Sequence, residues 1–367
     1  MDSKWKQIAP GSRQSIADGL ATATAALLAT ELGRPAPPVL RAALYGWAYN
    51  TARREAGEPP ARLAEAAAWL ERNTVPLSAL NDVRVIRQVL DTLAIKLDGK
   101  RASANTIARR RAVFHNALEH AVELGHYPAN PLARVKWQAP KVAESVDRRS
   151  VVNHDQARAL LDAVRAQKGI GPHLHAFFAC MYYAAMRPAE VAALRATDLV
   201  LPESGWGELH LSGSTPSKGS SWSESGKRER RQLKHRAAND VRTVPCPPRL
   251  AEILRNHLAE FGTASDGRLF RGARGGPVPD HSYGRVWQKA REEVFTPAEL
   301  RSPLAAVPYH LRHAAVSTWL NAGVDATQVA EWAGHSVNVL LKVYAKCVVG
   351  RDEIARKLIQ DLLDPPT

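Results

Sequence analysis

The chain has 367 residues, 45% hydrophobic and 23% charged, a composition that can fill the cores of two or three soluble domains. No apolar run reaches the roughly 18 residues that a membrane-spanning helix requires. The opening MDSKWKQIAPGSRQ has no apolar segment of the kind that directs secretion. Cys180, Cys246 and Cys347 stand too far apart to form a metal-binding pair, which argues against a zinc site and for a reducing cytoplasm. A net charge of +14 and a pI near 9.9 favour a polyanionic partner, because each phosphate neutralised by Lys or Arg releases condensed counterions.

In chain order, the Ala-rich stretch IADGLATATAALLATELG reads as a helix ended by Gly33, and Pro35, Pro37 and Pro38 keep it from continuing. Residues 1–38 are therefore expected to form an N-terminal extension with helical character. From 39 to 138 the pattern is helical throughout. VLRAALYGWAYNTARREAG runs to Gly57, PPARLAEAAAWLERN follows, and SALNDVRVIRQVLDTLAIKLDGK comes next with Ser78 or Asn81 as cap. In SANTIARRRAVFHNALEHAVELG, Ile107, Val113, Phe114, Leu118 and Val122 fall at helical spacing. The cluster Arg109, Arg110 and Arg111 reads equally as a solvated face or as a phosphate-facing surface.

Prolines and mixed charge without periodicity mark a linker at 139–150, and a second domain is expected over 151–367. NHDQARALLDAVRAQ is a helix capped by Asn153, and PHLHAFFACMYYAAMRPAEVAALRATDLVL reads as two helices broken at Arg187-Pro188. GWGELHLSG and DVRTVPCPP alternate like paired strands. A polar insert, 213–239, separates them and carries Lys218, Lys227 and Lys234. Helical patterns then run to the end, closing on GRDEIARKLIQDLL, where Ile354, Leu358, Ile359 and Leu362 share one face. The fold class expected is mainly α with a small antiparallel β-sheet in the second domain.

Several residues of that domain invite a chemical reading, although each has a plain one. Arg187 reads as a surface ion pair with Glu190, and Lys234 as one charge in a solvated run. His335, after Gly334, reads as a capping or core histidine, and Tyr344 on VLLKVYAK as a core aromatic. Their order and spacing together are harder to explain this way.

AAMRPAEVAAL, LKHRAANDVRTVP, YHLRH, AGHS and then Tyr344, nine residues after His335, resemble the tyrosine recombinase (phage integrase) family. TIARRRAVFHNALEHAVELGHYPANPL is similar to that family's helical, SAM-like core-binding domain. The resemblance covers about residues 40–362, and its wording is nearest to integrases of actinobacterial mobile elements. It implies a core-binding domain and a catalytic domain that clamp DNA, and strand exchange through a 3′-phosphotyrosine on Tyr344. Arg187 and Arg312 would take the charge of the non-bridging oxygens as bidentate forks. Lys234 would protonate the leaving 5′-oxygen, and His335 would donate to a non-bridging oxygen. Glu190 would orient Arg187 or buttress its helix, without touching DNA.

One position departs from the family pattern. Tyr309 stands where histidine, the usual proton acceptor, is expected, and a phenol is a poor base near neutral pH. His310 or His313 would have to substitute, or Tyr309 only positions the phosphate; the base stays open at this stage. No cofactor and no metal is implied. Expected partners are double-stranded DNA recombination sites, three further copies of the chain in a homotetramer on DNA, and an accessory directionality or DNA-bending protein. The expected location is cytoplasmic, on the nucleoid. The alternatives are a catalytically impaired DNA-binding regulator on the same scaffold and a type IB topoisomerase-like enzyme. A metal-dependent nuclease is least favoured, for want of an acidic triad.

Overall fold

The computed structural model describes residues 1–142, 145–217, 219–233, 240–344, 347, 356, 357, 359, 360 and 363. The chain divides into two compact units, Met1–Val142 with Lys218–Arg228, and Ala143–Ser217 with Glu229–Thr367.

In the first unit the main helices are α1 (Pro10–Ala25), α2 (Ala61–Asn73), α3 (Val83–Leu93) and α4 (Ala104–Glu123). Pro10 opens α1, where the missing N–H would have had no helical partner. The spacing of α3 puts Ile86, Val89, Leu90 and Leu93 on one buried face. That face meets Phe114, Leu118 and Ala121 of α4 and Ala23 of α1. Gly19 allows the close approach of α1 to α4, since a Cβ there would come within 2.9 Å of Val113. Ala21, on another side of α1, packs with Leu40, Leu44 and Leu70. The stretch set apart as an extension is thus packed into three apolar clusters, the third holding Trp5 and Ala17.

Local chemistry moves several boundaries. Asp82, not Ser78 or Asn81, caps α3 by accepting the Arg84 N–H at 2.8 Å; Leu77–Asn81 forms a 3-10 turn of its own. The segment read as one helix to Gly57 divides into Pro37–Arg41, a π-helical stretch Ala42–Ala48, and Thr51–Ala56. Asn50 restarts it by accepting the Arg53 N–H, the competition with helical backbone bonding that asparagine favours. Part of the polar insert also packs in this unit. Trp222 is buried with its ring 5.1 Å from Tyr45 and 6.2 Å from Trp5, and Arg13 donates to the Trp222 carbonyl at 2.9 Å.

The second unit opens with α5 (His154–Ala166), where Asn153 and Gln156 form a reciprocal capping box. α6 (Gly171–Tyr183) is apolar almost all round and runs through the core. A three-stranded antiparallel sheet comes next, in the order β1 (Leu199–Val200), β2 (Gly207–Leu211), β3 (Arg242–Cys246). β1 extends the expected pair; the sequence placed it in a helix, but that helix stops at Val191. Leu209 pairs with Val244 in the register, and alternate residues of both strands face inward. α7 (Pro248–Phe261) and α8 (Asp280–Val294) join α5 and α6 around Phe177, Phe178 and Trp287. A smaller cluster gathers α9 (Tyr309–Asn321), α10 (Ala326–Ala333) and α11 (Val337–Tyr344) with Ala185. No helix among the described residues is long and apolar enough to cross a membrane.

Candidate active site

The break after α6 delivers the first arginine. Ala185 has φ +48, a left-handed conformation that costs an L-residue about 1–2 kcal/mol. Pro188 then starts a short helix, Pro188–Val191, so Arg187 stands extended at the junction. Glu190, one turn on, accepts the Arg187 backbone N–H and its Nη1–H, each at 2.8 Å. Arg187 Nη2 donates to the Gly334 carbonyl at 2.6 Å.

Glu190 has a second cation. Arg242, inward-facing at the start of β3, donates from both terminal nitrogens to its two oxygens at 3.1 and 2.8 Å. Both side chains are essentially sealed from water, 1% and 2% exposed. Burial alone would raise the Glu190 carboxyl; Arg242 and then Arg187 outweigh it and bring the pKa down to about 2. The carboxylate is therefore a fixed anion between two guanidinium groups.

Arg312, on α9, is fully buried. It donates to the carbonyls of Ala185 and of Ala333, the latter at 2.5 Å, and from Nη2 to His335 Nε2 at 2.8 Å. It joins the strained junction after α6 to the end of α10. Gly334 closes α10 in the left-handed region at φ +66, ψ 49, where a Cβ would overlap the Arg242 guanidinium. This turn sets His335 against Arg312. Because an arginine N–H donates to Nε2, the ring proton sits on Nδ1, which is buried and has no partner among the described residues. Burial, then the charges of Arg312 and Arg187, lower the His335 pKa to about 3. A neutral imidazole with an open N–H donor results.

Tyr344 ends α11 and is 1% exposed. Its hydroxyl lies 2.8 Å from His313 Nδ1, and its ring stacks on His335 at 6.0 Å and 27°. Burial raises the phenol pKa well above its ordinary value, with Arg312 opposing. Tyr309 packs edge-on against His313, ring centroids 5.1 Å apart. Cys347, buried in the same cluster, accepts at its carbonyl from Asn321 Nδ2 at 3.1 Å.

The structure thus gathers Arg187, Glu190, Arg312, His313, His335 and Tyr344. Lys234, Lys218 and the tail positions Ile354, Leu358 and Leu362 lie outside the described residues. The three arginines of α4 part ways. Arg109 is exposed, and Arg111 lies over Trp137 at 5.3 Å. Arg110 is buried, donating to Asp18 at 3.1 Å and to the Ile95 carbonyl at 2.9 Å, which corrects both readings of it, solvated face and phosphate-facing surface: its donors are committed to the fold. Arg242 was missed, although period-two alternation puts it on the face of Val244 and Cys246. Among the described residues no group of three His, Cys, Asp or Glu is placed to hold a metal ion.

Two guanidinium groups, an imidazole donor and a phenol meet in this helical frame, in a chain whose relatives mark it as a DNA breaking-rejoining enzyme. The chain belongs to the phage integrase family, the tyrosine recombinases, whose family model matches residues 150–348. It is 29% identical over 262 residues to tyrosine recombinase XerC of Neisseria gonorrhoeae, covering 71% of this chain and 72% of the relative. Tyrosine recombinase XerD of Ralstonia nicotianae is 25% identical over 285 residues, 76% and 79% of the two chains. Among solved structures, the Tn1549 transposon integrase in complex with a circular intermediate DNA superposes with a TM-score of 0.58 at 15% identity, over 83% of this chain and 96% of the other. XerH site-specific recombinase bound to palindromic difH superposes at 0.54 and 11%, over 95% and 96%. At such identities the two superpositions speak for the fold.

Proposed function

We propose that the protein is a site-specific recombinase of the integrase or excisionase type, which cleaves and rejoins DNA through a 3′-phosphotyrosine on Tyr344. The observation that carries this reading is the joined set in which Arg187 bonds the Gly334 carbonyl, Arg312 bonds the next residue, His335, and His335 stacks on Tyr344 at the end of α11. In the five-coordinate phosphorane the non-bridging oxygens gain charge. Arg187, steadied by Glu190, brings planar donors to that charge, Arg312 keeps an Nε–H that has no partner among the described residues, and the open Nδ1–H of His335 adds a neutral donor. Attack by the phenol oxygen forms the P–O bond to Tyr344 and breaks the bond to O5′. By resemblance Lys234 supplies the proton that O5′ takes up. The linkage keeps its phosphoester energy, so rejoining needs no nucleotide. The partner is duplex DNA carrying the recombination sites, and the working assembly is a homotetramer that holds two duplexes.

A nicked attachment-site duplex that loses its short 5′ fragment on cleavage traps the intermediate. The wild-type protein should give an adduct stable to SDS, and Tyr344→Phe should give none. An adduct that survives Tyr344→Phe removes the assignment; a wild-type chain that binds the duplex without forming one favours a DNA-binding regulator.

A further inference from the structure

The proton of Tyr344 has to leave as its oxygen attacks, and the usual acceptor position holds Tyr309. We propose that His313 is the general base: its Nδ1 takes the Tyr344 hydroxyl proton during cleavage and returns it during rejoining. This rests on the reading of Tyr344 as the nucleophile.

The geometry selects His313 from the nitrogen and oxygen groups around the phenol. Its Nδ1 is 2.8 Å from the hydroxyl, inside the reach a proton transfer needs. His335 stacks on the tyrosine ring, but its Nε2 lone pair already accepts from Arg312 and its Nδ1 carries the proton. Tyr309 offers a second phenol, with no basic lone pair near neutral pH. His310 sits one ring further away, 5.8 Å from His313 by centroid, and lacks a hydrogen bond to Tyr344 among the described residues. Position also follows from sequence: His313 is the neighbour of Arg312 on α9, so one helix presents both the phosphate ligand and the base.

The step balances within the site. The O–H pair of Tyr344 becomes the new P–O bond, the proton moves to His313 Nδ1, and the P–O5′ pair leaves with O5′. The groups facing His313 are Tyr309, His310 and Arg312 on its own helix, Tyr344 at the end of α11, and His335 in the turn after α10. Burial, then His310 and Arg312, keep the imidazole neutral by lowering its pKa to about 4. Its lone pair is therefore available at neutral pH, but protonating it beside Arg312 is unfavourable. A scissile phosphate brings the missing anion, and a nearby negative charge favours imidazolium. The base thus strengthens when the substrate is in place.

The test is single-turnover cleavage of the nicked duplex between about pH 6 and 9, with His313→Gln, His313→Ala and His310→Gln beside the wild type. Gln keeps a hydrogen-bond acceptor for the phenol and cannot take its proton. We expect both His313 variants to bind DNA as the wild type does and to cleave about 10²-fold or more slowly. Their rates should climb about tenfold per pH unit, as hydroxide replaces the base. A His313→Gln rate near wild type would overturn the proposal by reducing His313 to a group that aims the tyrosine. So would the pH-dependent loss appearing in His310→Gln instead. Both outcomes leave the wild-type adduct on Tyr344 intact, so they are distinct from failure of the phosphotyrosine reading itself.

Discussion

Arg242 grips Glu190 by both carboxylate oxygens, and the same carboxylate carries Arg187. A buried anion with two partners tolerates poorly the loss of one. Arg242→Met should destabilise the protein by about 3–5 kcal/mol, the usual consequence of leaving a buried charge uncompensated. Adding Glu190→Leu removes the stranded charge, and most of the lost Tm should return. Cleavage should not return with it, since Arg187 is left without its anchor, a misplacement that costs about 10²-fold. Calorimetry and single-turnover cleavage on both variants check this; recovery of rate together with Tm would show that Arg242 serves stability alone.

Acid should weaken the second unit before its carboxylates titrate. Burial lowers His173 and His175 to about 4, and His335 to about 3, whereas an unfolded histidine has a pKa of about 6.5. Between those values the unfolded chain binds protons that the folded chain does not. The stability tied to these rings is then complete above about pH 6.5 and declines as pH falls toward their folded values. Tm should be flat above about pH 7 and drop between about pH 6.5 and 5. His175→Leu should make that drop shallower. A Tm that rises on acidification over this range would contradict the burial of these rings.

Two adjacent arginines on α4 should behave differently. Arg109 is exposed and Arg110 is buried on Asp18. Arg109→Ala should leave Tm unchanged and weaken DNA binding, reducing the slope of log K against log salt by about 1. Arg110→Met should lower Tm by several degrees, with the salt slope unchanged. Fluorescence binding titrations across a salt series separate the two.

The candidate cluster was legible where its members are tied by short-range spacing. Arg312 and His313 are neighbours, and Gly334 forces the turn that sets His335, so motif order carried most of the geometry. Arg242 was not, because a lone arginine in DVRTVP acquires its meaning from a glutamate 52 positions away. The mainly helical architecture followed from apolar period and proline placement. Its exceptions are local: a strand of two residues shows no alternation, and the caps Asp82 and Asn50 compete with equally polar neighbours. Arg110 illustrates the converse error, in that an arginine among arginines looks solvated until Asp18 is brought beside it from 92 positions away.

Cys347 lies three positions beyond Tyr344 and is buried in the same cluster, its carbonyl held by Asn321. Cys180 and Cys246 are deep in the larger core, where burial pushes the first thiol well up and the second to about 12, leaving both nearly inert to thiol reagents. The native sequence accordingly contains a built-in clock for the cluster around Tyr344. A colour-forming disulfide reagent should read, at Cys347, how often this buried cluster opens, with no label introduced and no residue changed.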